Sequence, residues 1–337
     1  MAGAMCAAGT KWLTYNPCGP VYLPMRKAAL LYNPLSGRRH ARRVAEVEAA
    51  RSILQQAGIE TTIEPTRGQS DATEQVQLAT ADGCDTIFAC GGDGTVHDVL
   101  QGVVGSNAAL GIIPLGTANA LAHDLRLPLS AVAAARASLG ARARRVAVGR
   151  VEYLDFSGNR ESRFFTVAAG IGADAHLFYK LNPLMKGQFG MAAYYAKATR
   201  LWLTHPMENF SIETEHAKGE VSQLLAVRIQ NFGGVLRELA PGASLERDDL
   251  RFVLFRTRSR LAYLRYMFRG LVGAQWQVGG IELVHGAKVI CRPLGSNNFS
   301  SERRILVEAD GELLGSLPVE ISMMPNALSL LVPAASG

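Results

Sequence analysis

The most constraining feature of the sequence is a glycine-rich turn between an apolar run and a helical pattern. Residues 85–90 (DTIFAC) predict a β-strand, residues 91–95 (GGDGT) a tight turn and residues 96–104 an α-helix. Glycine has no Cβ, so the backbone N–H groups of such a turn can approach a ligand closely. The free N–H groups of a helix N-terminus favour phosphate oxygens. The unit predicts a phosphate-binding turn, although a structural turn capped by Asp93 or Thr95 fits the same residues.

A second unit of the same kind follows about twenty residues later. Residues 110–114 (LGIIP) predict a strand, and Gly116, Thr117 and Asn119 come directly after it. The carboxyl ends of parallel strands lie at one edge of a sheet, which is where open α/β sheets bind ligands. We therefore expect the two turns to converge on one crevice. Neither turn has the Gly-Lys-Ser/Thr ending of a P-loop.

The order of predicted elements divides the chain into two folded parts. Strands alternate with helices up to about residue 145, which predicts a three-layer α/β domain with a parallel sheet. Beyond that point short β-type runs dominate, interrupted by helical patterns near 187–203 and 260–272, and they predict an antiparallel, β-rich second domain. The predicted organisation is an extension over 1–24, an α/β domain over 25–145, a β-rich domain over 146–320, and a last strand within 321–337 that returns to the first domain.

The composition narrows the classes of protein that the chain can represent. Its 337 residues carry a net charge of +6, mostly from arginine clusters, which favours an anionic partner such as a nucleotide or an acidic membrane surface, or simply solvated faces. No basic stretch is interleaved with aromatic residues as in nucleic-acid-binding modules. Five cysteines without a CxxC pair favour free thiols, and no run of about 18 apolar residues predicts a membrane-spanning helix. We expect a cytoplasmic protein without a nucleic-acid partner.

Taken together, these motifs resemble the diacylglycerol kinase catalytic-domain family, which includes bacterial diacylglycerol kinases, sphingosine kinases and ceramide kinase. The resemblance runs from about residue 25 to residue 332. The GGDGT turn alone is shared with NAD kinases, but the whole ordered series is specific. The matching positions are Asn33, Ser36, Gly37, Thr66, Gly91 to Thr95, Pro114, Gly116, Thr117, Asn119, Gly170, Gly172, Asp174, Asn231, Gly233, Gly234, Pro241, Asp310, Gly311 and Glu312.

The resemblance implies a fold, a reaction and a nucleotide site. The fold would be a Rossmann-like α/β domain of the NAD kinase and diacylglycerol kinase type, followed by a sandwich-like β domain. The reaction would transfer the γ-phosphate of ATP, with Mg²⁺, to a lipid hydroxyl in the cleft between the domains. The implied nucleotide-binding residues are Asn33, Thr66, Gly91, Gly92, Asp93, Gly94, Thr95, His97, Asp98, Thr117 and Asn119.

The resemblance also implies which carboxylate accepts the proton of the acceptor hydroxyl. Asp310 of the late Asp-Gly-Glu motif would be this base, with Glu312 supporting it or helping to hold magnesium. Phosphoryl transfer needs such a carboxylate close to an aligned nucleophile. Asp-Gly is also a common hairpin turn, and Asp93 is the competing base by analogy with sphingosine kinases. Because a base has no structural duty, Asp310→Asn is expected to stay folded and to lose activity about a hundredfold or more.

A structural magnesium site is a further implication of the resemblance. Two backbone carbonyls and one carboxylate would hold this cation, at the positions of Leu245, Asp248 and Leu250. Asp249 stands where the family usually has glycine, and a surface turn with two acidic residues is the alternative.

Two segments mix aromatic and basic residues in the way that suits a membrane interface. They are residues 176–207 and residues 261–276, and one of them is expected to form the acyl-chain groove, unless both are ordinary core packing. The protein would then act peripherally at the inner membrane surface; the sequence does not fix its oligomeric state, for which a homodimer is one option. His97 with residues 119–122 (NALA) is closer to sphingosine and ceramide kinases than to bacterial diacylglycerol kinases. Rival functions are an NAD kinase and a non-catalytic nucleotide- or lipid-binding regulator.

Overall fold

The computed structural model describes most of the chain. The described residues are 25–34, 40–66, 71–172, 207–233, 238–272, 277–295 and 304–333. The predicted extension over 1–24, most of the segment 176–207 with its predicted helix, and the motif residues Ser36, Gly37, Asp174 and Gly234 lie outside them.

The first part of the chain is a parallel sheet with helices on both faces, as the sequence predicts. Strand β1 pairs in parallel with β2 and β3, and β3 pairs in parallel with β4. The elements in order are β1 (Lys27–Tyr32), α1 (His40–Gln56), β2 (Glu60–Pro65), α2 (Asp71–Ala81), β3 (Thr86–Gly91), α3 (Asp93–Val103), β4 (Ala109–Pro114), α4 (Ala120–Asp124) and α5 (Ala131–Leu139).

The side chains of β1 show why both faces of this sheet are covered. Leu30 is completely buried with α1 and α5 on one face, while its neighbour Leu31 is completely buried with α2 and α3 on the other. Successive strand residues point to opposite faces, so a continuous apolar run fits only a sheet that is covered twice. Every residue of the central strands β3 and β4 is buried for the same reason.

The second part of the chain is dominated by antiparallel strands, also as predicted. Strand β7 pairs with β10 and β14, and β11 pairs with β10 and β12, each time antiparallel. The elements are β5 (Arg142–Leu154), β6 (Arg160–Phe165), β7 (Ala168–Gly172), β8 (Phe210–Thr214), β9 (Lys218–Val221), β10 (Gln223–Val227), β11 (Leu250–Phe255), α6 (Arg260–Val272), β12 (Ile281–Gly286), β13 (Lys288–Pro293), β14 (Leu306–Ala309) and β15 (Glu312–Val332).

Strand β15 joins the two parts into one continuous sheet. Its first residues pair antiparallel with β14, and its last residues pair in parallel with β4, with Ser329 opposite Ala109. The strand is 21 residues long and starts at Glu312, before the segment 321–337 in which the sequence predicts a last strand. Because β15 is one continuous strand, its first residues, which follow the Asp-Gly turn, are held in a fixed position relative to the parallel sheet.

None of the helices in the described part of the chain is long and apolar enough to cross a membrane.

Candidate functional site

The carboxyl edge of the parallel sheet brings four sequence motifs together. The register places Tyr32 opposite both Pro65 and Cys90, and Gly91 opposite Pro114. All four strands therefore end at one level. The residues that follow these ends include Asn33 after β1, Thr66 after β2, Gly92 after β3 and Thr117 after β4.

The two glycine turns touch each other through their backbones. A Cβ added to Gly92 would lie 3.1 Å from the Cα of Gly116, and a Cβ added to Gly116 would overlap the Cα of Gly92. The backbone N–H of Leu115 also donates to the carbonyl oxygen of Gly91 at 2.8 Å. Any side chain at either glycine would push the turns apart, so this close approach requires glycine. The predicted convergence on one crevice is present in the structure.

Helix α3 begins inside the glycine turn, three residues earlier than the sequence predicts. Its N-cap is Gly92, and no side chain caps the first turn. The N–H groups of a first helical turn have no partner within the helix, so those of α3 point toward the edge where the strands end. Thr95 is buried and packs over Gly91, where a Cβ would overlap its side chain. This geometry suits a phosphate group better than a structural cap.

The side chain of Asp93 binds the turn that follows β4 rather than the first turn of its own helix, α3. Its carboxylate accepts the backbone N–H of Ala120 at 2.7 Å and that of Asn119 at 3.0 Å. The side chain of Asn119 in turn closes the loop, with its Oδ1 accepting the N–H of Gly116 at 2.9 Å. Asn119 is buried, whereas Thr117 is exposed at the tip of this turn. Asp93 and Asn119 therefore shape the crevice, and Thr117 is the residue that is open to a ligand.

One face of α3 contacts the β-rich part of the molecule. Gly94, His97, Asp98 and Gln101 share this face because they are three or four residues apart. The Gln101 amide exchanges two hydrogen bonds of 2.9 Å with the backbone of Phe164, at the end of β6. A Cβ added to Gly94 would lie 2.9 Å from Oε1 of Glu312, and His97 lies beside Asp310. These contacts set the glycine turn of β3 against the late Asp-Gly-Glu motif.

Asp310 and Gly311 form the two-residue turn between β14 and β15. Both have positive φ, +49° and +85°, which is the conformation of a type I′ hairpin turn. The Asp310 carboxylate nevertheless points inward. It accepts the backbone N–H groups of Thr166 (3.0 Å), Val167 (2.9 Å) and Ala168 (3.1 Å), and its Oδ2 lies 3.6 Å from Nδ1 of His97. Both side chains are only 3% exposed. The turn is thus a hairpin and, at the same time, an anchor for the β6–β7 connection.

Asp98 is the carboxylate of this cleft with a strongly altered acidity. Burial, together with the nearby Glu312 carboxylate, raises the pKa of Asp98 to about 6 against the opposing effects of His97 and Arg163. Among the described residues, none donates a hydrogen bond to Asp98. A carboxylate with a pKa near neutrality is suited to accept and release protons under physiological conditions.

The three residues of the predicted structural magnesium site lie far along the chain from this cleft. Of these three residues, Leu245 is buried, Asp248 is exposed, and Leu250 begins β11. The carbonyl oxygen of Leu245 accepts a hydrogen bond of 3.3 Å from the Arg228 guanidinium. In the described part of the chain, no three His, Cys, Asp or Glu side chains are grouped as metal ligands.

Sequence reasoning missed several residues that build the site. Gln101 was detectable, because it is four residues after His97 on the helix face that carries Gly94. Asp124 was not: its carboxylate accepts the backbone N–H groups of Gln230 (3.0 Å) and Asn231 (2.8 Å), more than a hundred residues away. No local pattern signals such a contact.

The fold and the site define a two-part α/β and β-sandwich protein in which a glycine-lined sheet edge faces a carboxylate turn. Residues 27–151 match the diacylglycerol kinase catalytic domain, and residues 166–332 match the YegS C-terminal NAD kinase beta sandwich-like domain.

Whole-chain comparisons agree with these two matches. The chain is 27% identical over 315 residues to a diacylglycerol kinase of Bacillus subtilis (strain 168), covering 92% of this chain and 97% of that protein. It is 28% identical over 319 residues to a diacylglycerol kinase of Staphylococcus haemolyticus (strain JCSC1435), covering 92% and 89%. A solved structure described as a diacylglycerol kinase of Bacillus anthracis str. Sterne superposes with a TM-score of 0.67 at 20% identity, covering 93% of this chain and 99% of that one.

The chain belongs to the diacylglycerol kinase catalytic-domain family, a family of kinases.

Proposed function

We propose that the protein is an ATP-dependent lipid kinase that phosphorylates a lipid hydroxyl in the cleft between α3 and the Asp310–Glu312 turn. The observation that carries this proposal is the contact between helix α3, which follows the first glycine turn, and the Asp310–Glu312 turn. The glycine turns supply backbone N–H groups for phosphate, and the turn at Asp310 brings carboxylates to the same helix, through Gly94 and His97.

In this proposal the γ-phosphate of ATP lies at the N-terminus of α3. The N–H groups of the first turn and the exposed Thr117 hydroxyl bind phosphate oxygens, and Asn33 and Thr66 line the neighbouring strand ends. Glu312 would help to hold a magnesium ion bound with the nucleotide, and that ion would supply positive charge to the phosphoryl group. Asp98 and Glu312 are the carboxylates on the acceptor side of this position.

The proton of the acceptor hydroxyl has two proposed destinations. The family resemblance favours Asp310, whose Oδ2 accepts one N–H group and faces His97, whereas its Oδ1 accepts two. Asp98 is favoured by one observation of its own, a pKa of about 6 on a partly exposed carboxylate in the same cleft. A base with a pKa near the working pH gives the best balance between being ionised and binding a proton.

A diacylglycerol is the acceptor that the named relatives favour, because two of them are diacylglycerol kinases with 92% of this chain aligned to each. A sphingoid base is the second candidate, favoured by the resemblance of His97 and residues 119–122 to sphingosine and ceramide kinases. An NAD kinase is the alternative enzyme, since NAD kinases share the GGDGT turn.

Access to a lipid is proposed to involve helix α6. Leu261, Leu264, Phe268 and Val272 are 50–57% exposed on one side of this helix, while Tyr263 and Tyr266 on the other side are buried against Phe255, with ring centroids 5.5 Å apart. Arg265 is exposed beside the apolar side, and the helix contains no acidic residue. Such a helix suits the surface of an anionic bilayer. Ordinary core packing explains the tyrosine side of α6 but not the exposed side.

The proposed function is tested by incubating the purified protein with γ-labelled ATP and either NAD or mixed micelles. The micelles carry a diacylglycerol, a sphingoid base, ceramide or a monoacylglycerol in turn. We expect label in the lipid fraction with one acceptor class strongly preferred. Label in NADP with none in any lipid would establish the NAD kinase, and no transfer to either acceptor would leave only the binding function.

A further inference from the structure

The loop between residues 244 and 249 turns a ring of backbone carbonyl oxygens toward a single side chain. The Arg228 guanidinium donates through Nη1 to the carbonyls of Ser244 (3.2 Å), Arg247 (2.8 Å) and Asp249 (3.0 Å). Through Nη2 it donates to the carbonyl of Leu245 (3.3 Å). Four carbonyl oxygens of one loop therefore share one cation.

The same guanidinium reaches beyond the loop. Nη2 also donates to the carbonyl oxygen of Ala147 at 2.9 Å, on the strand β5 that leads out of the α/β part. The backbone N–H of Arg228 donates to the carbonyl of Val167 at 2.9 Å, in the connection that Asp310 anchors. Arg228 thus links the loop, β5 and the β6–β7 connection.

Arg228 carries its positive charge in the interior of the molecule. Its residue is 0% exposed, and it is among the largest fully buried side chains of the described residues. Burial lowers the pKa of Arg228 to about 10, and the Asp248, Asp249 and Asp124 carboxylates oppose this shift. A pKa of about 10 still leaves the guanidinium protonated at neutral pH. A buried charge is tolerated only when it is paired and hydrogen-bonded, which the carbonyl ring and these carboxylates provide.

These contacts do not fit the structural magnesium that the family resemblance places at Leu245, Asp248 and Leu250. The Leu245 carbonyl already accepts the guanidinium, and the Asp248 side chain is exposed. The Asp249 carboxylate is bound by Nε of Arg247 at 2.6 Å and lies 3.3 Å from Nδ1 of His285. A divalent cation needs oxygens at about 2.0–2.6 Å, and here it would meet a buried positive charge bound to the same carbonyl.

We infer that Arg228 is the structural cation of this loop and that residues 244–250 fold without a divalent metal ion. The covalently attached charge of Arg228 binds the Leu245 carbonyl that the family resemblance assigns to an exchangeable ion. The stability of the nucleotide-free protein then does not depend on Mg²⁺, and any magnesium requirement of the reaction belongs to the nucleotide.

The position of Arg228 connects this loop to the nucleotide side of the molecule. The chain that follows it carries Gln230 and Asn231, whose N–H groups are bound by Asp124 at the end of α4. Two residues further on, Gly233 packs so closely against the His123 ring that a Cβ would overlap it. Helix α4 begins at the turn that Asp93 holds. The chain segment that follows Arg228 therefore contacts α4 directly.

Thermal unfolding of the nucleotide-free protein tests the inference. Wild-type protein is compared in EDTA and in about 10 mM Mg²⁺ or Ca²⁺, concentrations at which a site with millimolar affinity or better would raise the midpoint. We expect the two midpoints to agree within about 1 °C. A saturable rise with Mg²⁺ that Asp248→Asn abolishes would overturn the inference, and this result requires no variant at Arg228.

Substitution of the guanidinium is the second arm. Arg228→Met keeps much of the side-chain volume but leaves the carbonyl ring without a donor, so we expect the midpoint to fall by about 5 °C or more, or the protein not to fold. Arg144→Met is the matched control, because Arg144 binds the neighbouring Glu246 at 2.7 Å while both side chains are largely exposed. Equal, small effects of the two substitutions would contradict the role of Arg228.

Discussion

At the scale of single residues, Asp310 combines two duties that the sequence presents as alternatives. The residue lies in a hairpin turn, as the Asp-Gly pattern predicts, and its carboxylate faces the helix of the glycine turn. The three backbone N–H groups that it accepts belong to the β6–β7 connection. A residue with these bonds stabilises the fold whether or not it also moves a proton. The expectation that substitution of Asp310 leaves stability unchanged is therefore revised.

Asp310→Asn is therefore predicted to lower stability. Asparagine tolerates the left-handed backbone of the turn, but its amide group places a donor among three donors. Leaving buried N–H groups without an acceptor costs about 1–3 kcal/mol, which thermal unfolding would detect as a lower midpoint. Asp155→Asn is the control: Asp155 accepts the Asn159 N–H at 2.7 Å in an exposed turn, so a much smaller change is expected. An unchanged midpoint for Asp310→Asn would show that the three bonds carry no stability.

Asp98 makes a prediction about pH. Its pKa is about 6 in the folded protein and about 3.9 in an unfolded chain, so the fold binds the proton more tightly. The cost of ionising Asp98 is absent below about pH 4, grows as the pH rises, and is complete above about pH 6. Asp98→Asn should therefore unfold at a higher temperature than wild type at pH 7–8, and this advantage should vanish near pH 4.

The control for Asp98→Asn is Asp155→Asn, for which the expected dependence of stability on pH has the opposite sign. The pKa of Asp155 is lowered by the N–H of Asn159, so its contribution to stability is present above the unfolded pKa and is lost as the pH falls. Asp155→Asn should lose stability relative to wild type at neutral pH and not in acid. If Asp98→Asn follows the same direction as Asp155→Asn, the buried carboxylate has been misassigned.

Activity against pH separates the two proposed bases. If Asp98 must be ionised, kcat/KM falls as the pH drops below about 6, by about tenfold per unit. The residual kcat/KM of Asp98→Asn would then show no such fall below about pH 6.

At the scale of elements, the contact between the two glycine turns is the feature on which the proposed ATP site depends. Gly116→Ala would press a methyl group against the Cα of Gly92 and place it 2.6 Å from Oδ1 of Asn119. We predict that the turns separate and that the KM for ATP rises by about tenfold or more, because a small displacement of several N–H donors weakens each phosphate contact. Steady-state kinetics with varied ATP measures this.

Gly140→Ala is the matched control for this change. Gly140 has a φ of −97° at the end of α5, and nothing lies within 4 Å of an added Cβ. Its KM for ATP should remain that of wild type. An unchanged KM for Gly116→Ala as well would contradict the assignment of the turns to the nucleotide.

Helix α6 gives a prediction about membranes. Replacing Leu264 and Phe268, which are 50% and 56% exposed, by aspartate removes apolar area and adds negative charge on the side that would face lipid. We predict that cosedimentation with vesicles rich in anionic lipid falls by about tenfold or more, since both terms of interfacial binding are weakened. Leu78→Asp, at a 63% exposed position of α2, should bind vesicles as wild type does. Equal binding by all three proteins would remove α6 from the lipid surface.

The elements also show where sequence reasoning succeeds and where it ends. Apolar runs of β3 and β4 and the glycine turns after them are local signals, and the structure contains those strands with the turns in contact. The start of α3 was predicted three residues late, because GGDGT reads as a loop although Asp93 to Thr95 take helical geometry. The roles of Arg228 and Asp124 depend on partners that are distant in sequence, so no periodicity or motif reveals them.

At the scale of the whole molecule, β15 holds the two halves of the proposed site in register. It starts at Glu312, beside helix α3, and ends paired to β4 of the parallel sheet. Asp124 and Gln101 add further links between the same two parts. The sequence predicted both parts and the returning strand, but the single continuous sheet follows only from the pairing of β15 with both.

The central claim is that this cleft moves phosphate from ATP to a lipid alcohol, and a short-chain diacylglycerol that dissolves without micelles tests it apart from membrane binding. The measurement is the amount of labelled phosphatidate formed per ATP consumed. We predict a ratio of one for one with wild type and with Asp155→Asn, and a rate of phosphatidate formation that is about a hundredfold or more lower in folded Asp310→Asn. ATP consumed without labelled lipid, or equal transfer by Asp310→Asn and wild type, would contradict the account.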